Sequence, residues 1–96
     1  MKSLQEIKLV LSKHKQHLFL EYPIKTIAIF GSFARMEQNE KSDLDLIVDF
    51  NDNIGIRFID LADKIESLIG FKVDLVSRNG IKNEYYKLIQ TDLIYV

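Results

Sequence analysis

Three aspartates in the middle of the chain are the residues best suited to chemistry. Asp43 and Asp45 are separated by one residue in the run DLDLIVDF, and Asp74 lies at the centre of a second apolar run, FKVDLV. Residues two apart on a strand point to the same face of a sheet. Two carboxylates held so close raise each other's pKa unless a cation lies between them. Because Mg²⁺ prefers hard oxygen ligands and completes its shell with waters and substrate phosphates, the pair predicts a magnesium site.

Asp74 extends this site if its strand lies beside the strand that carries Asp43 and Asp45. A charged residue in the middle of a short apolar strand is costly to bury unless it is paired or bound to a metal. Three carboxylates can hold two divalent ions about 4 Å apart, which stabilise the attacking and the leaving oxygen of a phosphoryl displacement. Asp49 continues on the same face but lies further along the strand, beyond the predicted ligands. The acids therefore predict metal-assisted phosphoryl transfer.

A Gly31-Ser32 pair follows the apolar run KTIAIF and precedes a predicted helical turn. Glycine lets the backbone approach a ligand closely, and the N–H groups at a helix start are donors for phosphate. The serine hydroxyl adds one more donor. The pair alone is a weak signal, and the sequence contains neither the lysine-bearing P-loop motif nor a GxGxxG motif. Beside the acids, it predicts a site that binds a triphosphate on one side and metal on the other.

Each of these residues also has an ordinary structural explanation. Asp43 and Asp45 can be a solvated pair on an edge strand, and Asp74 can be a solvent-facing strand residue. Ser32 can be a helix N-cap. The combination of all the residues in one order along the chain favours the chemical interpretation over these separate ones. Three tyrosines lie near the C-terminus, and we expect them to be in the core or to face a partner: Tyr85, Tyr86 and Tyr95.

The elements that must position these side chains alternate between helix and strand. A capping box at Ser3–Glu6 opens the first helix, and Tyr22-Pro23 ends it. The remaining predicted elements are a strand at 25–30, one or two helical turns at 33–37, a polar loop at 38–42, a strand at 43–50, a helix with a C-terminal cap at Gly70, a strand at 71–76, a loop at 77–80, a helix bearing Ile81, Tyr85, Leu88 and Ile89, and a final LIYV that is either a strand or a helix tail.

This order predicts an α/β or α+β domain, with a small mixed sheet of three or four strands flanked by helices. The apolar stripe of the first helix is Leu4, Ile7, Leu11 and Leu18. The connection between the first two strands, residues 31–42, is compatible with either sense of pairing. The position of the third strand beside the second is likewise open at this level.

Composition limits the classes of function. The 96 residues predict a single domain, 1–96, and so small a domain is expected to rely on a partner. The absence of cysteine excludes disulfides and cysteine-based metal sites. A formal net charge of −1 provides no basic field, so direct nucleic-acid binding is not expected. A membrane span is not expected, and the charged N-terminus does not resemble a signal peptide, which favours the cytoplasm.

The run GSFAR…SDLDLIV, followed by VDLV, resembles the minimal nucleotidyltransferase family of the DNA polymerase β-like superfamily. That family's pattern is Gly-Ser, then Asp-x-Asp, then a third Asp on a later strand, and the resemblance covers residues 26–76 well. It implies a polymerase β-like nucleotidyltransferase fold. It also implies that Gly31 and Ser32 bind the triphosphate and that Asp43 and Asp45 bind two Mg²⁺ ions. Asp74 would complete the metal pair and help to activate the attacking hydroxyl.

The chain departs from the family in the loop after Arg35. Family members often have glycine after the Ala-Arg pair, whereas Met36 stands here. The departure concerns the shape of that loop and not the carboxylates.

The resemblance also implies a partner. Small proteins of this type often act as antitoxins of HEPN-domain ribonucleases, some by transferring AMP from ATP to a tyrosine of the toxin. The expected function is therefore Mg²⁺-dependent transfer of a nucleoside monophosphate, AMP from ATP, to a tyrosine hydroxyl of a HEPN toxin. A chain of 96 residues has no room for an acceptor-binding domain, which favours a protein acceptor. Two alternatives stay open: a non-catalytic antitoxin that occludes a toxin, and a nucleotidyltransferase that acts on RNA or a small molecule.

Overall fold

Helices and strands alternate along the chain, as the sequence predicts. A computed structural model describes residues 2–96. Two short 3₁₀ turns, at 78–80 and 90–92, flank the last helix. The helices and strands are α1 (Leu4–Glu21), β1 (Ile24–Phe30), α2 (Gly31–Ala34), β2 (Leu44–Phe50), α3 (Arg57–Ile69), β3 (Val73–Ser77), α4 (Asn83–Ile89) and β4 (Ile94–Tyr95).

The four strands form one mixed sheet in the order β3-β2-β1-β4. β1 pairs antiparallel with β2 and with β4, and β2 pairs parallel with β3. The predicted mixed sheet is therefore confirmed, and the sense of pairing that the sequence left open is settled. The C-terminal LIYV contains the edge strand β4 rather than a helix tail.

The first helix begins and ends, and the third ends, at the capping and breaking residues that the sequence predicts. The Ser3 hydroxyl accepts from the Glu6 N–H at 3.2 Å, and the Glu6 carboxylate accepts from the Ser3 N–H at 3.1 Å, which is the predicted capping box. α1 ends at Glu21, just before the residue that precedes proline. α3 ends at Ile69 and is capped by Gly70, which takes the left-handed conformation with φ 93°.

One face of the sheet, which we name the core face, is covered by α1 and α3. The predicted stripe of α1 is confirmed, because Ile7, Leu11 and Leu18 are buried and Leu4 packs against them. The buried residues of this core are all apolar: Ile7, Leu11, Leu18, Tyr22, Ile24, Ile27, Ile29, Phe33, Leu44, Leu46, Val48, Leu61, Ile65, Ile69, Val73 and Leu75.

The opposite face, which we name the acid face, is partly covered by α4. A smaller buried cluster lies there, formed by Ala28, Phe30, Ile47 and Ile89. The helix is present as predicted. Of the residues that indicated it, Tyr85 and Leu88 do not face the sheet. Both are exposed, and Tyr86 and Ile89 face the sheet instead.

Four elements differ in their bounds from the predicted ones, and β1 begins at Ile24 rather than at residue 25. β2 begins at Leu44, so Asp43 lies just before the strand, and β3 runs from 73 to 77 rather than from 71 to 76. α2 covers 31–34 and not 33–37, because the glycine itself opens the helical turn. Within residues 2–96, no helix combines the length and the apolar character needed to cross a lipid bilayer.

Candidate active site

The sheet brings Asp45 and Asp74 side by side. They are register partners in the parallel β2–β3 ladder. Register partners project to the same side of a sheet, and their Cβ atoms lie about 5 Å apart. Leu44 and Leu46 flank Asp45 and are fully buried in the core face, so both carboxylates belong to the acid face. The adjacency on which the sequence argument depended is therefore present.

Asp43 lies at the edge of this pair, one position before the first residue of β2. Its carboxylate Oδ2 is 3.8 Å from the Nζ of Lys72, and both side chains are substantially exposed. Solvent screens an exposed ion pair of this length, so the lysine is free to move to another anion. The sequence analysis did not predict that Lys72 lies near the aspartates. Its place two residues before Asp74 could have suggested this, because residues two apart in an extended segment point to the same side.

The three carboxylates act on one another electrostatically. The pKa of Asp45 is raised above its ordinary value, chiefly because the side chain is partly desolvated, and further because Asp74 and Asp43 are nearby negative charges. Arg35 opposes the rise with its positive charge. A carboxylate whose charge is disfavoured by its neighbours is the type of group that a divalent cation stabilises, so the donor set has the chemistry that Mg²⁺ requires.

Asp74 does not carry the burial cost that the sequence argument assigned to it. Its side chain is exposed on the acid face, so solvent stabilises its charge without a partner. Within residues 2–96, no three His, Cys, Asp or Glu side chains are gathered closely enough to hold a metal ion as they stand. Asp43, Asp45 and Asp74 lie near one another at one end of the acid face, but the structure does not gather their carboxylates into a metal site.

The Asp45 carboxylate occupies the space in which a side chain at Gly31 would begin. Its φ is +73°, in the left-handed region, and a Cβ at this position would lie 2.1 Å from Oδ2 of Asp45. Any other residue would strain the backbone and push the Asp45 carboxylate aside, so glycine is strongly favoured here. The close approach that the sequence argument assigned to a ligand is therefore, in the structure, an approach to Asp45.

Ser32 lies inside α2, directly after Gly31. The N-cap of α2 is Phe30, so the explanation of Ser32 as an ordinary N-cap is wrong. No side chain caps the first turn of α2. Phe33 anchors the turn, since it is buried in the core face and stacks on Phe71 with ring centroids 5.8 Å apart. The short helix thus holds the Gly-Ser backbone firmly beside Asp45.

The loop after Arg35 keeps a conformation that glycine adopts at no cost. Met36 has φ +57°, the one positive φ among the non-glycine residues that the structure describes. Its side chain is 75% exposed. Arg35 donates from Nε to the carboxylate of Glu37 at 2.8 Å and lies 3.7 Å from Asp92. Met36 therefore adopts a backbone conformation that the glycine common in the family would adopt without strain.

Residues 5–95 match the family described as polymerase beta, nucleotidyltransferase. The chain belongs to the polymerase beta nucleotidyltransferase family. The resemblance in the sequence motif is confirmed, and so is the prediction that the chain is a nucleotidyltransferase.

Individual relatives extend this similarity over the whole chain. A protein of Methanocaldococcus jannaschii with the provisional name protein adenylyltransferase MJ0128 is 51% identical, and the alignment covers 100% of both chains. The protein adenylyltransferase MntA of Thermococcus cleftensis is 36% identical over 100% of this chain and 98% of its own.

The fold is also that of a solved structure. A chain in the complex of a tri-AMPylated Shewanella oneidensis HEPN toxin with an MNT antitoxin superposes with a TM-score of 0.70 at 24% identity, over 93% of this nucleotidyltransferase and 70% of that chain. At this identity the likeness establishes the fold alone, which confirms the predicted polymerase β-like nucleotidyltransferase fold.

Proposed function

We propose that the protein transfers AMP from ATP, with Mg²⁺, to a tyrosine hydroxyl of a HEPN-domain toxin and thereby acts as its antitoxin. The observation that carries this proposal is the register of Asp45 with Asp74, directly beside Gly31. This arrangement supports the proposal, because two of the residues that we propose as metal ligands lie beside the turn that we propose as the phosphate site.

The roles of the residues follow from their positions. The backbone N–H groups at Gly31 and Ser32, with the serine hydroxyl, donate hydrogen bonds to the phosphates of ATP. Asp43 and Asp45 would hold the metal, and Asp74 would complete the set and accept the proton of the attacking hydroxyl. When bound, two Mg²⁺ ions neutralise the phosphates and stabilise the attacking and leaving oxygens. Oxygen–phosphorus bond formation at the α-phosphate then expels pyrophosphate.

The choice of AMP and of a protein acceptor rests on the relatives. The 51% and 36% identical proteins both carry the name protein adenylyltransferase. In the structurally similar complex, a HEPN toxin that bears three AMP groups is bound to an MNT antitoxin. Addition of AMP places a bulky anion on the acceptor protein, which opposes binding of RNA by charge repulsion. This explains how a transferase can silence a ribonuclease.

The test uses the purified chain, a purified HEPN-domain toxin and ATP labelled at the α-phosphate, with Mg²⁺. We expect label on the toxin, and none when ATP carries the label at the γ-phosphate. Asp45→Asn is expected to reduce the rate of labelling about 100-fold or more, in the range measured when one group that stabilises transition-state charge is removed. Asp49→Asn is the matched control, because Asp49 is on the same strand, four residues away, and outside the proposed ligand set.

Other outcomes point to the other functions. Full inhibition of the toxin by Asp45→Asn without labelling would indicate an antitoxin that works by occlusion. Label on RNA or on a small molecule, and none on the toxin, would indicate a different acceptor. Equal loss of labelling in Asp45→Asn and Asp49→Asn would mean that general negative charge, and not the proposed metal ligands, supports the reaction.

A further inference from the structure

α4 presents an aromatic ring to solvent on the acid face. Tyr86 and Ile89 of this helix pack against the sheet, whereas Tyr85 is 44% exposed. A tyrosine that leaves so much of its ring in water gains little from burial, and its position is set by the helix and by one aromatic neighbour. The mechanism proposed above does not use this residue.

That neighbour joins Tyr85 to the site. The rings of Tyr85 and Phe30 have centroids 6.5 Å apart and lie nearly perpendicular, at 83°. Phe30 is the register partner of Asp45 in the β1–β2 ladder and is the residue directly before Gly31. An edge-to-face contact leaves at least one face of the Tyr85 ring uncovered by Phe30. The exposed ring of Tyr85 therefore lies on the acid face, against the residue that is paired with Asp45.

We propose that Tyr85 forms the surface on which the base of the bound nucleotide stacks. The inference rests on the proposed function, since it needs the phosphates to lie at Gly31 and the carboxylates. A base is separated from its α-phosphate by the ribose, so it lies beyond the acids and not among them. Tyr85 contacts Phe30 and not a residue of the proposed ligand set, which agrees with a place for the base beside the acids. Stacking accepts any base but grows with ring area, so it favours adenine over the pyrimidines.

A base-stacking role and a role as acceptor make different demands on a tyrosine. A tyrosine that receives AMP must bring its oxygen to the α-phosphorus, within about 3.5 Å. The contact that the Tyr85 ring makes is with Phe30, the register partner of Asp45. We therefore assign Tyr85 to the base, and the mass of the chain after incubation with ATP distinguishes this role from that of an acceptor.

The experiment compares two ligands that differ by the nucleoside. Binding of Mg·ATP and of Mg·tripolyphosphate to the full chain is measured by calorimetry. Tyr85→Ala is expected to weaken ATP binding about ten-fold, in the range of one lost base–aromatic stack, and to leave tripolyphosphate binding unchanged. Tyr85→Phe keeps the ring and should bind ATP like the unaltered chain. Leu88→Ala is the matched control, because this side chain is 74% exposed on the same helix.

The outcomes that overturn the inference are distinct from those that overturn the proposed function. Unchanged ATP affinity in Tyr85→Ala, or an equal loss for ATP and tripolyphosphate, rejects the stacking role alone. A gain of one AMP in the mass of the isolated chain, absent from Tyr85→Phe, rejects it in favour of an acceptor role. Failure of the unaltered chain to bind either ligand rejects the nucleotide site and the inference with it.

Discussion

The two faces of the sheet are built by the same strands, but one face packs the hydrophobic core and the other presents the aspartates. In β2, Leu46 is fully buried in the core face, and its neighbour Asp45 lies partly exposed on the acid face. In β3, Val73 and Leu75 are buried on either side of the exposed Asp74. Because side chains alternate along a strand, one strand supplies apolar packing and charged chemistry at once.

The difference between the faces lies in what covers them. α1 and α3 cover the core face, which is wholly apolar, whereas α4 covers the acid face only in part. A charge on the core face would require burial without a partner, which is prohibitive. On the open face the same charge stays hydrated and available to a ligand. We therefore expect substitutions on the core face to reduce stability and substitutions of the aspartates on the acid face to reduce activity.

The largest effect on stability is expected from Leu46→Ala. The side chain is fully buried between strands and helices, so its truncation removes apolar contacts and leaves a cavity. We expect the free energy of unfolding to fall by about 2–5 kcal/mol, measured by urea denaturation. Asp45→Asn, the adjacent residue on the other face, is the control and should not lose stability. Equal losses at both positions would show that the acid face also holds the fold together.

Gly31→Ala should reduce both stability and activity, because Gly31 has a strained backbone conformation and lies against Asp45. The backbone strain at φ +73° costs about 1–2 kcal/mol, and the new Cβ would also displace the Asp45 carboxylate. We expect that loss in urea unfolding and a loss of nucleotidyl transfer. Gly70→Ala is the matched control, since Gly70 also has positive φ, at +93°, but its added Cβ would meet nothing within 4 Å. It should lose stability while transfer by the folded protein is preserved.

The clash at Gly31 can be separated from the strain by a double mutant. Asp45→Ala removes the carboxylate that a Cβ at position 31 would strike. The stability loss of Gly31→Ala is therefore expected to be smaller in the Asp45→Ala background than in the unaltered chain. An equal loss in both backgrounds would mean that the strain accounts for the whole effect.

Asp45→Asn is expected to raise stability modestly at neutral pH. The pKa of Asp45 is raised in the folded protein, so the unaltered chain loses stability as pH rises from the ordinary value of 3.8 through the raised folded pKa. The substituted chain lacks this loss, and the two should converge at lower pH. The gain is at most about 1 kcal/mol, because solvent screens a partly exposed charge. Melting temperatures across the acid range test this, and a difference that grows toward low pH would contradict it.

Met36→Gly is expected to have the smallest effect. A non-glycine residue at φ +57° is strained, and the exposed methionine side chain gives little packing in return. Glycine relieves the strain but loses more conformational entropy on folding, so a net gain of about 0.5 kcal/mol is expected. Met36→Ala is the control, because alanine keeps the strain. If Met36→Ala is as stable as Met36→Gly, the backbone conformation is not the source of the effect.

The sequence was sufficient for features that depend on residues close together along the chain. The capping box at Ser3, the end of α1 before Pro23 and the glycine cap at Gly70 all lie where local patterns predict. The alternation in β2 correctly separates the buried leucines from Asp45. These features follow from short-range hydrogen bonds, backbone preferences and side-chain periodicity, which are properties of a few neighbouring residues.

The tertiary structure alone decided which distant residues meet. The register that pairs Asp45 with Asp74, the contact of Gly31 with the Asp45 carboxylate, and the position of Tyr85 beside Phe30 are all set by strand pairing and by the docking of α4. No local pattern determines them, because a sheet register is selected by the burial of a whole face and by the packing of helices against it. The sequence by itself thus indicated the candidate groups and most of their elements, and the packing of the sheet brought those groups together.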